Sequence, residues 1–252
     1  LDLLGPAFTW NTPVYVDGPI KDGVLQGNVY LRGQGDPRLV VERLWLLLRR
    51  LQAQGVARIQ GDIVLDRSAF ALAPRDPASF DGEPLRPYNA APDALLLNFK
   101  SVSMTFVPDR GIRTAQVHFE PTLAGVDMQA SVPLSNGECG DYRAALKADF
   151  ANPARIRFAG TYPASCAEKT WSVAYVEPKT FGLRAIGGLW REMGGQLAGT
   201  VYAALGLGLF NKLLEGWAGA VLAKIAVLVF IIVFIQKRPQ GLFAIKGRSA
   251  EA

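Results

Sequence analysis

Residues 36–55 have the sequence "DPRLVVERLWLLLRRLQAQG", and this stretch decides the fold of the first part of the chain. Asp36 is a favourable N-cap residue, and Pro37 suits the first helical position. Gly55 suits the end of a helix. Between them, apolar residues recur at helical spacing; they are Val40, Val41, Leu44, Leu47, Leu48 and Leu51. The stretch therefore predicts one amphipathic helix.

Strand patterns flank this helix on both sides. Before it, Val14–Val16 and residues 24–31 alternate apolar and polar positions around a cluster of turn residues, which predicts a hairpin. After it, "VARIQGDIVLDRSAF", residues 56–70, predicts a further strand. Residues 76–92 are rich in Pro, Asp and Gly and predict a loop.

Residues 95–175 consist of short alternating runs separated by Gly, Pro, Asn and Asp. This pattern predicts a small antiparallel β domain. Ile186, Leu189, Trp190 and Met193 then predict a short amphipathic helix. The predicted fold class is α+β, with small antiparallel β-rich domains and few helices. We divide the chain into an α/β region (residues 1–94 and 176–196), the β domain (95–175) and a tail (197–252).

The tail carries a membrane signal. Residues 218–235 are apolar apart from Lys224 and would form a helix of about 27 Å, close to the thickness of a bilayer core. We predict a C-terminal transmembrane helix; its residues include Ala218, Ile225, Phe230 and Ile235. The alternative is a buried helix of a soluble protein. Residues 197–210 are apolar but shorter, which leaves a second span open.

The net charge of +5 lies mostly around this apolar run. From residue 212 to the end, six basic residues stand against two acidic ones, so that +4 of the charge is in the tail. Lys237 and Arg238 follow the apolar run directly and predict a cytoplasmic anchor. The remainder of the chain is nearly neutral. This distribution favours a lipid bilayer as a partner and argues against nucleic acid.

The chain has two cysteines, Cys139 and Cys166, and one histidine. No Cys-x-x-Cys motif and no histidine cluster accompany them, so we predict no metal site. The pair indicates either a disulfide in an oxidising compartment or two buried free thiols.

Several stretches resemble the D-alanyl-D-alanine carboxypeptidase/endopeptidase family, the class C penicillin-binding proteins. The resemblance covers about residues 1–199 and is carried by "GNVYLRGQGDPRL" (27–39), "VARIQGDIVLDRSAF" (56–70), "LRPYNAAPDALLLNF" (85–99) and "FGLRAIGGLWREMGG" (181–195). Residues 137–146 and 158–175 look like the family's cysteine-paired β segment, which implies the disulfide. The resemblance also implies a periplasmic location and peptidoglycan peptides as partners. It places this chain in the accessory domains, with the catalytic domain resuming near Phe181.

The catalytic motifs of that family do not occur in the sequence. Its mechanism uses Ser-x-x-Lys, Ser-x-Asn and Lys-Thr-Gly, in which a serine acts as nucleophile beside a lysine. No serine here has a lysine three positions later, and "KTW" at Lys169 and "KTF" at Lys179 lack the glycine. We therefore predict no catalytic residues and no carboxypeptidase activity for this chain alone.

Other candidate sites are weaker. "GQGDP", residues 33–37, resembles a dinucleotide loop but lacks the third glycine, and Asp36 would stand where a phosphate must bind. We therefore predict neither a nucleotide nor any other cofactor. His118 lies in an alternating strand and is interpreted as structural or surface-exposed. Arg49 and Arg50 are interpreted as the solvated face of the helix.

The tail resembles a different family. Residues 205–243, and "KRPQGLF" (237–243) above all, are similar to the C-terminus of permease subunits of urea and branched-chain amino acid ABC transporters. A junction inside or beside "GGQLAGTV", residues 194–201, would join the two parts.

We therefore predict a truncated serine-type D-Ala-D-Ala carboxypeptidase of peptidoglycan metabolism, joined to a permease-like tail. The alternatives are a piece of an ABC transporter permease and a non-catalytic, membrane-tethered module associated with the cell wall. The predicted location is the inner membrane, with the N-terminal domain in the periplasm and the C-terminus in the cytoplasm.

Overall fold

The computed structural model describes residue 5, residues 7–73 and residues 75–197. This part of the chain has a mixed α/β fold with few helices and several sheets. Its helices are α1 (Val41–Ala53), α2 (Tyr142–Leu146) and α3 (Pro178–Glu192). Its strands are β1 (Val14–Val16), β2 (Ile20–Lys21), β3 (Val24–Leu25), β4 (Val29–Arg32), β5 (Arg58–Ile59), β6 (Ile63–Asp66), β7 (Ser101–Asp109), β8 (Thr114–Glu120), β9 (Asp127–Met128), β10 (Ser131–Ser135), β11 (Ala148–Asp149), β12 (Arg155–Phe158), β13 (Tyr162–Pro163), β14 (Lys169–Ala174) and β15 (Gln196–Leu197).

The first part of the chain builds two small sheets, with the strand orders β1-β4-β6 and β15-β5-β3-β2. β1 is antiparallel to β4, and β2 is antiparallel to β3. The pairs β4–β6, β3–β5 and β5–β15 are parallel. The prediction of antiparallel sheets is therefore wrong for these three pairs. In the pairs β4–β6 and β3–β5, the chain passes through α1 between the two strands. A helical crossover of this kind brings the chain back to the end of the sheet where it started, so the two strands run parallel.

Both strands predicted beside the helix are divided in two. Residues 24–31 give β3 and β4, and residues 56–70 give β5 and β6, with the two halves in different sheets. The divisions meet at Gly27 and Gly61, where the Gly61 N–H donates to the Gly27 carbonyl at 3.0 Å. A Cβ on Gly61 would lie 2.5 Å from that oxygen. Only glycine permits so close a crossing of two backbones.

Helix α1 confirms the predicted helical period, and Leu44, Leu48 and Leu51 of its apolar face are buried. The predicted start is wrong, because the helix begins at Val41. The Asp36 carboxylate accepts a hydrogen bond from the Arg38 N–H at 2.9 Å, so that it closes a turn ahead of the helix instead of capping it. At the other end, Gly55 follows the helix with φ +92°, which confirms its predicted place.

The β domain contains a five-stranded sheet of order β13-β10-β8-β7-β14 and a three-stranded sheet of order β11-β12-β9. In the larger sheet, the neighbouring strands β10, β8, β7 and β14 are antiparallel, as predicted. β10–β13 and β9–β12 are parallel, which corrects the prediction at these edges. The rings of Phe106, Phe158 and Tyr162 pack together in the core, with centroids 5.3–5.4 Å from Phe106.

Helix α3 is longer and more deeply buried than the predicted short amphipathic helix. It has 15 residues, and both Phe181 and Trp190 are fully buried. The Trp190 indole N–H donates to the Gln196 carbonyl at 3.1 Å, which holds the turn into β15. The Arg184 carbonyl accepts from the Ala124 N–H at 2.8 Å, so that α3 also binds the β domain. The helix therefore lies between the two parts of the fold.

Two buried tyrosines make the free energy of unfolding depend on pH in alkaline solution. Burial raises the pKa of Tyr162 and of Tyr175 to about 12, and their hydroxyls donate to the carbonyls of Ala167 and Pro153. In the unfolded chain, a tyrosine hydroxyl has its ordinary pKa of about 10. The folded chain therefore holds more protons than the unfolded chain between these two values. We expect the free energy of unfolding to be unaffected by these groups below about pH 10 and to fall as pH rises towards 12. Urea titrations between pH 9 and 12 measure how steeply the free energy of unfolding falls with pH. This fall should be less steep in a Tyr162→Phe/Tyr175→Phe variant.

Candidate functional site

The two cysteines form a disulfide in the structure. Cys139 and Cys166 have Cα atoms 4.6 Å apart. The bond joins the segment after β10 to the 3-10 turn Ala164–Cys166, and Cys166 lies in the core. The two residues therefore act as a covalent link within the β domain, and not as free thiols.

The residues predicted to form the membrane span and its cytoplasmic anchor lie outside the described residues. They are Ala218, Ile225, Phe230, Ile235, Lys237 and Arg238. Between residues 5 and 197, excluding residues 6 and 74, no helix has both the length and the apolar character that a bilayer crossing requires.

Four serine hydroxyls in the described part of the chain make structural hydrogen bonds. Ser101 donates to the Asn98 carbonyl and Ser165 to the Gly137 carbonyl, each at 2.8 Å. Ser103 and Ser172 bond to each other across β7 and β14. None of the hydrogen bonds in this part of the chain joins a serine hydroxyl to a lysine amine. These contacts do not supply the nucleophile and base that acyl transfer requires.

The two Lys-Thr sequences and the histidine also occupy structural positions. Lys169 lies on β14, whereas Lys179 lies in the first turn of α3 and precedes the fully buried Phe181. His118 is exposed on β8 and lines a cavity of about 480 Å³ together with Trp45 and Glu192. Across the described residues, no group of three or more His, Cys, Asp or Glu side chains is placed to hold a metal ion.

A buried ion cluster connects the end of β6 to the start of β7. The Asp93 carboxylate is 8 % exposed, and its Oδ2 lies 2.9 Å from Lys100 Nζ and 3.1 Å from Arg67 Nε. The Nε–H group of Arg67 makes no hydrogen bond, so the contact between Nε and the Asp93 carboxylate is ionic. The other carboxylate oxygen, Oδ1, accepts from the Leu95 N–H at 3.0 Å. We call these three charged residues the Asp93 cluster.

The backbone at Lys100 is left-handed, which aims its ammonium group at Asp93. Asn98, Phe99 and Lys100 have φ values of 41°, 51° and 50°. Three successive non-glycine residues in this region cost free energy that the surrounding contacts must offset. Asn98 contributes such contacts, since its N–H donates to the Leu39 carbonyl and its amide donates to the Ser101 carbonyl. No local pattern in the sequence indicated either the left-handed turn or the Asp93 cluster.

A second buried cation lies in α3. The Arg184 side chain is 3 % exposed. Its Nη1 donates to the carbonyls of Ala124 and Gly125 at 3.2 and 3.3 Å, and its Nε donates to Thr180. These bonds satisfy the guanidinium with protein groups and attach the helix to the loop after β8.

A cavity of about 840 Å³ lies between β1 and α1. We call it the β1 groove; its apolar walls include Trp10, Val14, Val16, Ile20, Leu46 and Leu47. The lining also includes the guanidinium groups of Arg43 and Arg50, the Asp36 carboxylate and the Thr12 hydroxyl. Apolar walls with a few polar groups among them are typical of a binding surface.

Residues 1–205 match the model of the D-Ala-D-Ala carboxypeptidase 3 (S13) family. A stretch of 68 residues is 41% identical to the D-alanyl-D-alanine carboxypeptidase DacB of Haemophilus influenzae, which is 27% of this chain and 14% of that protein.

Two solved structures of penicillin binding protein 4 (dacB) from the same organism are also similar. One is 22% identical with a TM-score of 0.49, and covers 74% of this chain and 42% of that chain. The other, complexed with a β-lactam, is 19% identical with a TM-score of 0.43, and covers 74% and 39%. The chain thus spans less than half the length of the relatives that it matches.

Proposed function

The chain belongs to the D-Ala-D-Ala carboxypeptidase 3 (S13) family, and from this premise we propose that it supplies the accessory, non-catalytic part of a serine-type carboxypeptidase of peptidoglycan metabolism. The family match over residues 1–205 is the observation that carries the proposal. The substrate class follows from the family: peptidoglycan peptides that end in D-Ala–D-Ala. In this proposal the chain corresponds to a truncated member of the family.

The described side chains support a scaffolding role. The Asp93 cluster, Arg184 and the Cys139–Cys166 disulfide each connect distant parts of the chain. A rigid framework of this kind holds binding and catalytic groups of a larger enzyme in fixed positions. The hydroxyls of Ser101 and Ser165, by contrast, donate to carbonyls, and those of Ser103 and Ser172 bond to each other.

We expect the 252-residue chain to form no acyl-enzyme with a β-lactam, because the sequence lacks Ser-x-x-Lys, Ser-x-Asn and Lys-Thr-Gly. The measurement is gel fluorescence after incubation with a fluorescent penicillin. The DacB protein of Haemophilus influenzae, run on the same gel, serves as the labelled control. Stoichiometric labelling of the chain, lost after denaturation before incubation, would contradict the non-catalytic assignment.

A second proposal concerns the tail and rests on the apolar run of residues 218–235, with Lys237 and Arg238 after it. We propose that this run spans the inner membrane, with the C-terminus in the cytoplasm and the disulfide-containing domain in the periplasm. The resemblance of residues 205–243 to ABC transporter permeases supports a membrane tail joined near residues 194–201. Sequencing long reads of genomic DNA across that junction tests the fusion itself.

Reporter fusions test the orientation. Alkaline phosphatase inserted after residue 197 of the otherwise complete chain should be active, and alkaline phosphatase fused after residue 252 should be inactive, because the enzyme needs its disulfides to form in the periplasm. Activity at residue 252 would reject the orientation. Inactivity at both positions would show that residues 197–210 also span, and would place the N-terminal domain in the cytoplasm.

A further inference from the structure

The sequence contains one Asn-Gly pair, Asn136–Gly137, directly after β10. The Asn136 side chain is exposed, and its amide makes no hydrogen bond with any residue that the structure describes. The Gly137 N–H likewise has no acceptor in the described chain, and a Cβ on Gly137 would meet nothing within 4 Å. The side-chain carbonyl carbon of Asn136 and the backbone nitrogen that follows it are therefore both accessible.

The other described asparagines lack this combination. The side-chain amides of three of them donate hydrogen bonds to protein oxygens; these are Asn28, Asn89 and Asn98. Asn152 precedes a proline, which has no backbone N–H. Asn11 precedes a threonine, whose branched side chain crowds its own backbone nitrogen. Among the described asparagines, Asn136 alone has both an unbonded side-chain amide and a glycine after it.

The backbone around the Asn-Gly pair is held at three points. Ser135 pairs with Pro163 at the end of β10. The Ser165 hydroxyl donates to the Gly137 carbonyl at 2.8 Å. Cys139, two positions later, is fixed by the disulfide. The main chain therefore keeps its position on both sides of Asn136, whereas the Asn136 side chain and the Gly137 N–H are left to react with each other.

We propose that Asn136 is a site of spontaneous covalent modification, at which the side-chain amide becomes a carboxylate in the folded protein. Asparagine is among the thermolabile residues of proteins. The reaction needs an electrophilic amide carbon, a neighbouring backbone N–H and a residue without a side chain to crowd the approach, and Asn136–Gly137 supplies all three.

The reaction consumes water and releases ammonia. The Gly137 nitrogen gives its proton to a base in solution and attacks Cγ of Asn136; the bond from Cγ to the amide nitrogen breaks, and ammonia leaves. The product is a cyclic imide. Water then attacks one of the two imide carbonyl carbons and breaks its bond to the ring nitrogen. Attack at the side-chain carbon gives aspartate, and attack at the backbone carbon gives isoaspartate, so no electrons are transferred in either route.

The two products differ in their effect on the structure. Both place a new negative charge two positions before Glu138, which is also exposed. Aspartate leaves the length of the main chain unchanged. Isoaspartate adds one atom to the main chain between Ser135 and Gly137. Since the backbone is fixed on both sides, we expect the isoaspartate form to lose the hydrogen bond from Ser165 to the Gly137 carbonyl.

The test incubates the folded 252-residue chain in mild detergent, at neutral pH and in mildly alkaline buffer, and follows it by proteolysis and mass spectrometry after reduction. We expect the peptide that contains residue 136 to be converted with time into two products with a carboxylate in place of the amide. Conversion should be faster in the alkaline buffer, because the attacking nitrogen must lose its proton. The peptides that contain Asn28, Asn89 and Asn98 should stay unmodified over the same period.

Two variants identify the reacting groups. Asn136→Gln lengthens the side chain and should stop the release of ammonia at this position. Gly137→Val places a branched side chain beside the attacking nitrogen and should slow the conversion at least about tenfold. Gly137 has open space around it and no left-handed φ, so this variant should give the circular dichroism spectrum of the parent. Asn136→Asp provides the reference for the aspartate product.

Three results would overturn the proposal. The first is an unmodified residue 136 after prolonged alkaline incubation of the folded parent chain. The second is equal conversion in the parent and in Gly137→Val. The third is conversion of Asn89 as fast as that of Asn136, since Asn89 is buried and its amide is hydrogen-bonded.

Discussion

Replacing Asp93 with alanine should lower the free energy of unfolding by about 3–5 kcal/mol, the range found when one partner of a buried ion pair is removed. The reason lies in Lys100, whose side chain is only 12 % exposed and whose ammonium group lies 2.9 Å from the Asp93 carboxylate. Without Asp93, this charge keeps a single weak contact, to the Ala91 carbonyl at 3.5 Å. Urea denaturation followed by circular dichroism measures the loss.

Two further variants show whether burial of charge causes the effect. Asp62→Ala removes an exposed aspartate from the loop before β6 and should change stability by no more than about 0.5 kcal/mol. Asp93→Ala combined with Lys100→Met removes both charges and should recover much of the loss, because no unpaired ion is then buried. If Asp93→Ala were as mild as Asp62→Ala, the Asp93 cluster would not be a buried ion cluster in solution.

Loss of the disulfide should cost about 3–4 kcal/mol. Cys139 and Cys166 are 27 positions apart, and the chain-entropy model gives this value for a loop of that length. A Cys139→Ala/Cys166→Ala variant should therefore unfold at a clearly lower urea concentration than the parent chain. Ser165, which bonds to the Gly137 carbonyl beside the disulfide, supplies a local control through Ser165→Ala.

Reduction with dithiothreitol distinguishes the effect of losing the disulfide bond from the effect of replacing the cysteine side chains. Dithiothreitol should destabilise the parent chain by the same amount and leave the double alanine variant unaffected. Two free thiols in the folded, oxidised parent, detected by alkylation and mass spectrometry, would refute the pairing.

The sequence predicted features that depend on neighbours along the chain. The spacing of Leu44, Leu48 and Leu51 identified the buried face of α1, and Gly55 identified its end. The predicted start of α1 was wrong because the Asp36 carboxylate accepts a hydrogen bond from the Arg38 N–H in the turn before the helix. Local patterns thus predicted which residues form helices and strands better than where these elements begin.

Apart from the Cys139–Cys166 disulfide, which the family resemblance implied, the features that depend on contacts between distant residues were not predicted. The division of strands at Gly27 and Gly61 arises where two segments 34 positions apart cross. The parallel pairs β3–β5 and β4–β6 depend on how α1 returns the chain, and the Asp93 cluster joins residues from separate segments. Alternation of apolar residues specifies that a strand exists but not its partner. The family, by contrast, was recognisable from whole stretches of sequence.

The two ends of the β domain meet, and this has a consequence for how such a protein can be altered. Ser101, the first residue of β7, pairs with Ala174, the last residue of β14, and Tyr175 N–H donates to the Lys100 carbonyl at 2.8 Å. Segments whose ends are adjacent can be excised or exchanged without stretching the remaining chain. Residues 101–174 can therefore be enlarged or replaced by recombination without stretching either flank, provided that the new segment covers α3 and supplies carbonyls to the buried Arg184, as Ala124 and Gly125 do here. The Asp93 cluster would survive such an exchange, because all three of its residues lie outside the exchanged segment.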